Sequence, residues 1–291
     1  MKSIYLCLSL VLALTASGWS VHFVRDDLGH AVAVPEHAHR LVCLTPSVTN
    51  TVYAIGAAAD VVGITDYSFY PPEARRQKPS VGEVVRPSVE KIASLHPDLV
   101  IAQSVFNDPE ILHELQRIGI PVFVVEASNL AGVYKAIASI GRVLSREREA
   151  TALIEQLRAR ENKVRAMSQN KYKPSLFLVI SMDPCITAGR DAFVTELIGA
   201  AGGRSVTADL PRDWLQINIE AVIPKRPDYI LVVNGSPFGL KDMQQRAGWS
   251  SLEAVRQGRV IQVDDRIQYP SPVAFDALEE LARRISALQA Q

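Results

Sequence analysis

The chain has 291 residues, 31 Lys plus Arg against 31 Asp plus Glu, and 48% hydrophobic residues. At about 150 residues per domain, that length corresponds to two globular units with cores of their own. A net charge of zero excludes the broad basic face that nucleic acid or an anionic membrane demands, and the apolar content excludes disorder.

Lys2 is followed by an apolar run from Ile4 to Ala16 and by small residues at Ser17, Gly18 and Ser20. This is the anatomy of a signal peptide spanning residues 1–20, with cleavage near Gly18 to Ser20. At about 1.5 Å per residue the run is too short to cross about 30 Å of hydrocarbon, and no other segment approaches a spanning length. Cys7 lies too deep in the run to resemble a lipid-attachment site, so the chain reads as an exported, soluble protein. The mature part stays near neutral and keeps two cysteines, too few for a disulfide scaffold or a four-thiolate zinc site.

After an extended lead, Phe23 to Val34, near-continuous apolar runs predict buried parallel strands at Leu41–Leu44, Val61–Thr65, Leu99–Ala102 and Val122–Val125, with helical segments between them. From Ser128 to about Asn170 only helix is expected: Tyr134–Leu144, a break near Ser145, then Glu147–Met167. In the second of these, Ala150, Leu153, Ile154, Leu157, Val164 and Met167 form one stripe, which favours a long helix packed on the body over a coiled-coil arm. Alternation resumes with strands at Leu176–Ile180, Ile230–Val233 and Val260–Val263. Helices are expected at Phe193–Ala200, Ile219–Ile223, Ser251–Gln257 and Val273–Leu288. The fold class is therefore α/β, two Rossmann-like lobes (21–127 and 171–291) joined by linking helices (128–170), of which one is long.

An internal repeat supports the division. Ser88 to Ala102 aligns without a gap on Asn218 to Val232, so that Glu90 pairs with Glu220, Pro97 with Pro227 and Asp98 with Asp228 at one offset. Each copy opens on an N-cap, stops at Pro-Asp and continues into a strand. A first-turn glutamate is favoured by the helix dipole, but a matched pair, one per lobe, is less well explained that way.

No phosphate-loop, dinucleotide, nucleophile-elbow or zinc-protease motif occurs. His37, His39, His96 and His113 lack the converging partners that a metal site needs and read as surface or capping residues. Cys43 and Cys185 belong to different lobes and read as separate thiols. Aromatic and polar residues gather after strand ends: Tyr67, Phe69, Tyr70, Phe106, Phe238 and Tyr269, with Trp214 before the second repeat. Ligands of open α/β sheets bind beyond the carboxyl ends of the strands, so several of these side chains should meet in one crevice between the lobes and suit a large, partly apolar guest.

Arg40 to Asn50, Val62 to Ala74, Val89 to Ile92 with His96 to Ala102, Gly119 to Val125, Thr187 to Phe193, Ala201 to Gly203 and Gly258 to Asp265 occur in this order. In these motifs the chain resembles the periplasmic substrate-binding proteins of ABC importers for vitamin B12, haem and ferric siderophores. The resemblance implies a helical-backbone, class III binding protein, non-enzymatic and monomeric, whose partners are an inner-membrane permease with its ATPase and whose ligand is a cobalamin or ferric chelate.

It further implies that Glu90 and Glu220 dock on permease arginines, that Tyr67 and Trp214 contact the ligand, and that Asp265 lies near a polar ligand contact. Tyr70, Phe106 and Tyr269 complete the expected ligand set; no cofactor, resident metal or catalytic residue is expected. Where vitamin B12 binders of the family carry a tryptophan ahead of the first docking glutamate, this chain has Val84 or a neighbour. The rival readings are an enzyme on the same two-lobed frame, for which Ser47, Cys185 and the histidines form no recognisable set, and a receptor for free transition metal.

Overall fold

The structure, a computed structural model, describes residues 21–168 and 172–288; the leader expected at 1–20 lies outside the described residues. The chain opens with an antiparallel hairpin, β1 (Val21–Arg25) and β2 (Ala31–Pro35), in place of a simple extended lead. Its turn is closed by Asp26, whose carboxylate accepts the N–H groups of Leu28 and His30. Then follow β3 (Leu41–Cys43), α1 (Pro46–Ala54), β4 (Val61–Ile64), α2 (Pro72–Gln77), α3 (Val89–Ser94), β5 (Leu99–Gln103), α4 (Pro109–Arg117) and β6 (Val122–Val125). The four strands β3 to β6 form a parallel sheet in the order β4-β3-β5-β6.

Two helices come next, α5 (Leu130–Val143) and α6 (Glu147–Met167), divided at Ser145, whose φ of 54° interrupts the helical path. The second lobe contains β7 (Ser175–Val179), β8 (Ser181–Met182), β9 (Cys185–Ala188), α7 (Phe193–Ala200), β10 (Arg204–Ser205), β11 (Trp214–Gln216), β12 (Tyr229–Val233), α8 (Leu240–Gln245), α9 (Glu253–Arg256), β13 (Val260–Val263) and α10 (Ala274–Leu288). Its parallel sheet runs β10-β7-β12-β13, the same winding as the first, and a small antiparallel sheet, β11-β9-β8, is added beside it.

Both parallel sheets are buried on two faces, and the two-residue period of a strand sorts their side chains. In the first lobe Leu41, Cys43, Leu99, Ile101, Phe123 and Val125 join one apolar cluster, while Val42, Leu44, Val100, Ala102, Val122 and Val124 join another. In the second lobe Leu176, Leu178, Leu231 and Val233 belong to the same cluster as the first set, and Phe177, Val179, Ile230 and Val232 face away. Through α5, α6 and α10 one core therefore runs across both lobes. Along α6, Ala150, Leu157 and Val164 are buried as the stripe requires, but Met167 is 38% exposed at the helix end. The polar side of α6 also binds the body: Glu161 accepts the Tyr134 hydroxyl at 2.6 Å, and Arg160 pairs with Asp276 and Glu279 of α10.

The repeat has a matching structural role in each lobe. Asp98 accepts the N–H groups of His39 and Arg40 at the start of β3, and Asp228 accepts that of Ser175 at the start of β7. Burial opposes ionisation of Asp228, but hydrogen bonds from Ser175 and Tyr172 outweigh it and hold the carboxyl below its ordinary range. His96 and Arg226, each just before the proline, have left-handed φ values of 45° and 43°. The copies differ in their helices: α3 is α-helical, whereas 219–221 and 223–225 are two 3-10 turns instead of the expected helix at Ile219–Ile223. Pro224, standing where the first copy has Ser94, has no N–H to continue an α-helix. Similarly, the helix expected over Ser251–Gln257 is a 3-10 turn at 249–251 followed by the short α9.

Candidate functional site

The loops after β5, β6 and β9 and the turn after β13 converge between the lobes. They bound an open crevice of about 380 Å³ lined by Phe106, Ser128, Asp191, Phe193, Arg212, Asp213, Trp214, Gln268 and Pro270, among others. An adjoining open depression shares Ser128, Asp191 and Ala192 with it and reaches Asn129, Arg190 and Glu196.

Each wall is fixed by buried hydrogen bonds. On the first lobe the Asn107 side chain donates to the carbonyls of Leu44 and Val84 and accepts the Gln103 N–H, which sets the tight turn that presents Phe106. On the second lobe Trp214 begins β11, in register with Ala188 of β9, and its half-buried ring packs on the common core. The N–H groups of Gly189, Arg190 and Asp191 donate to the carbonyls of Asp213, Leu210 and Arg212. This strip approaches so closely that a Cβ on Gly189 would lie 2.5 Å from the Arg212 carbonyl oxygen, a contact only glycine allows.

Beside the crevice, Tyr70 and Asp265 join the lobes across 195 positions of sequence: the phenol donates to Asp265 at 2.7 Å. The Tyr269 ring lies 6.0 Å from that of Tyr70, and the Arg266 guanidinium sits 5.9 Å from the same ring. Burial, reinforced by the hydrogen bond to Asp265, pushes the Tyr70 phenol far up, and burial pushes that of Tyr269 up to about 12. Both are neutral donors at any physiological pH. Asp265 opens the short turn 265–268, whose Gln268 lines the crevice, so this cluster forms the shoulder of the cavity.

Of the expected ligand residues, the structure thus brings Phe106 and Trp214 into the crevice lining and Tyr70, Asp265 and Tyr269 into one cluster at its shoulder. Tyr67 is 52% exposed and meets Phe69 edge-on, outside that lining. Phe238 lies in a separate depression with Met182 and Arg246. Asp191, Phe193, Arg212 and Gln268 also line the crevice; the first two lie in the Thr187–Phe193 motif, and the other two carry no local signal. Among the described residues, no group of three or more His, Cys, Asp or Glu side chains is arranged to hold a metal ion, and no helix is long and apolar enough to cross a membrane.

Glu90 and Glu220 are exposed and occupy the first turns of equivalent helical segments. Hydrogen bonds from its own backbone N–H and from the Ser88 hydroxyl hold the Glu90 carboxyl below its ordinary range, while the Glu220 N–H is capped by Asn218.

Cys43 and Cys185 are free and buried in β3 and β9. Burial pushes the Cys43 thiol up to about 12 and that of Cys185 up to about 11. Since the thiolate is the nucleophile, neither should react with a maleimide in the native protein at pH 8, and both should react in guanidinium. Rapid native labelling of either, followed by peptide mapping, would contradict this burial.

Comparison with known proteins gives concordant matches. A family model described as "Periplasmic binding protein" matches residues 41–267. The uncharacterized ABC transporter substrate-binding lipoprotein YvrC of Bacillus subtilis (strain 168) is 32% identical over 271 residues, covering 90% of this chain and 84% of the relative. Among solved structures, the periplasmic vitamin B12 binding protein BtuF of Vibrio cholerae superposes with a TM-score of 0.76 at 25% identity, covering 87% of this chain and 99% of that one. The periplasmic heme-binding protein RhuT from Roseiflexus sp. RS-1, in apo form, gives 0.80 at 28% identity, covering 87% and 100%. The two lobes and long helix are thus the class III binding-protein fold.

Proposed function

The chain belongs to the periplasmic binding protein family, and from that premise we propose that it is the extracytoplasmic receptor of an ABC importer, capturing a cobalamin or a ferric chelate between its lobes. Its relatives are solute-binding proteins, and we assign it binding without catalysis. The observation that carries the reading is the crevice at the carboxyl ends of two like-wound sheets, with Phe106 on one wall and Trp214 on the other. Aromatic faces bury a flat guest, and Tyr70, Asp265 and Tyr269 offer polar groups at its edge. Tyr67, exposed on the first lobe, is assigned to the rim.

In the same reading the leader is removed on export, the mature protein is a monomer, and lobes 21–127 and 171–291 sit rigidly on the linking segment 128–170. Glu90 and Glu220 then meet arginines of the inner-membrane permease, which works with its ATPase.

Cobalamin, haem and ferric siderophores each carry a chromophore. Mixing the purified protein with each in parallel should give co-elution and a spectral change with one of them. No co-elution and no spectral change with any of the three sinks the assignment.

A further inference from the structure

Three arginines stand beside the crevice, and two already have partners. Arg190 donates to the carbonyls of Ala208 and Asp209, and Arg266 is held by Asp264 and Asp276. Arg212 lines the cavity next to Trp214, and among the described residues no acceptor or carboxylate pairs with its guanidinium. Its backbone is unusual as well: φ is 101°, a region L residues rarely adopt, and it is held there by the Asp191 carboxylate on its N–H and the Asp191 N–H on its carbonyl. Glycine would fill this position without strain, so retention of a long cationic side chain points to a task for that side chain.

The neighbouring charges narrow the task. Asp191 and Asp213 line the same cavity, so one guanidinium is accompanied by two carboxylates. A carboxylate on a guest would face both of these like charges, whereas an uncharged oxygen acceptor receives the N–H donors of Arg212 without that repulsion. We propose that Arg212 is a specificity-determining residue of the crevice and that it donates to carboxamide oxygens on the rim of the guest, selecting amide-rimmed chelates over carboxylate-rimmed ones. This rests on the receptor reading above.

The test uses the full mature chain, with cyanocobalamin as the carboxamide probe and hemin as the carboxylate probe, titrated by calorimetry. The wild type should bind cyanocobalamin more tightly than hemin. Arg212→Gly should weaken cyanocobalamin by about ten-fold or more, the loss of a charged hydrogen bond, while the melting temperature stays level or rises as the strained backbone is relieved. Asp213→Asn keeps an oxygen to accept the Trp214 N–H and should strengthen hemin binding more than it changes cyanocobalamin binding, so that the preference between the two probes narrows.

The proposal is overturned if Arg212→Gly leaves every bound probe within about two-fold of wild type, or weakens hemin while sparing cyanocobalamin. A wild type that binds neither probe overturns this inference, while the receptor reading falls only if ferric siderophores are silent as well.

Discussion

Reversing both exposed carboxylates, Glu90→Lys together with Glu220→Lys, is expected to abolish uptake by cells expressing the cognate permease while ligand affinity stays within about two-fold of wild type. Each glutamate is solvent-exposed in the free protein, so neither reversal leaves a buried group unpaired, and folding should be unaffected. Losing two charge-assisted hydrogen bonds and gaining two like-charge contacts is expected to weaken docking by about three orders of magnitude or more. The Glu90 carboxyl lies below its ordinary range because its own N–H and the Ser88 hydroxyl favour the anion. Its charge is thus present above the unperturbed carboxylate pKa and is lost only as pH falls through the lower folded value, so the Glu90 contribution to docking should persist in mild acid. Uptake of radiolabelled ligand and titration of the purified variant separate the two readouts. Undiminished uptake, or a loss of ligand affinity, would remove the docking role.

Replacing Trp214 by Ala is expected to weaken ligand binding by about 30-fold, the scale of a central aromatic contact of about 2 kcal/mol, and Phe106→Ala by about ten-fold. The two rings line one cavity from different lobes and are half-buried, so their removal trims the walls without opening the core. The melting temperature should therefore fall by only a few degrees in either variant. Equal affinities for wild type and Trp214→Ala would move the ligand out of this crevice, and a large fall in melting temperature would show that the ring serves folding instead.

The difference between what was legible beforehand and what was not follows from the range of the interactions. Runs such as Leu99–Ala102 and Val122–Val125 lie in strands covered on both faces, and such strands write their burial directly into consecutive apolar residues. Glu147–Met167 was bounded correctly because a long helix repeats its apolar positions over many turns. The sheet β11-β9-β8 left no comparable trace: its strands have two to four residues, too few for a period, and their pairing is antiparallel across a loop that also includes Asp183 and Pro184. Arg212 leaves no sequence trace either, since its significance lies in a backbone angle and in the absence of a partner for its guanidinium among described residues.

Composition, periodicity and the repeat at Ser88 and Asn218 by themselves determined a two-lobed α/β chain with a helical link, because each depends on contacts within a few turns or a single strand. Only the tertiary structure decided which of the aromatic residues share a cavity, that Tyr70 reaches Asp265, and that one core passes through α5, α6 and α10 into both lobes. Those outcomes depend on how two sheets are placed relative to one another. That placement is the sum of many weak packing contacts between residues far apart in the chain, and no local pattern encodes it.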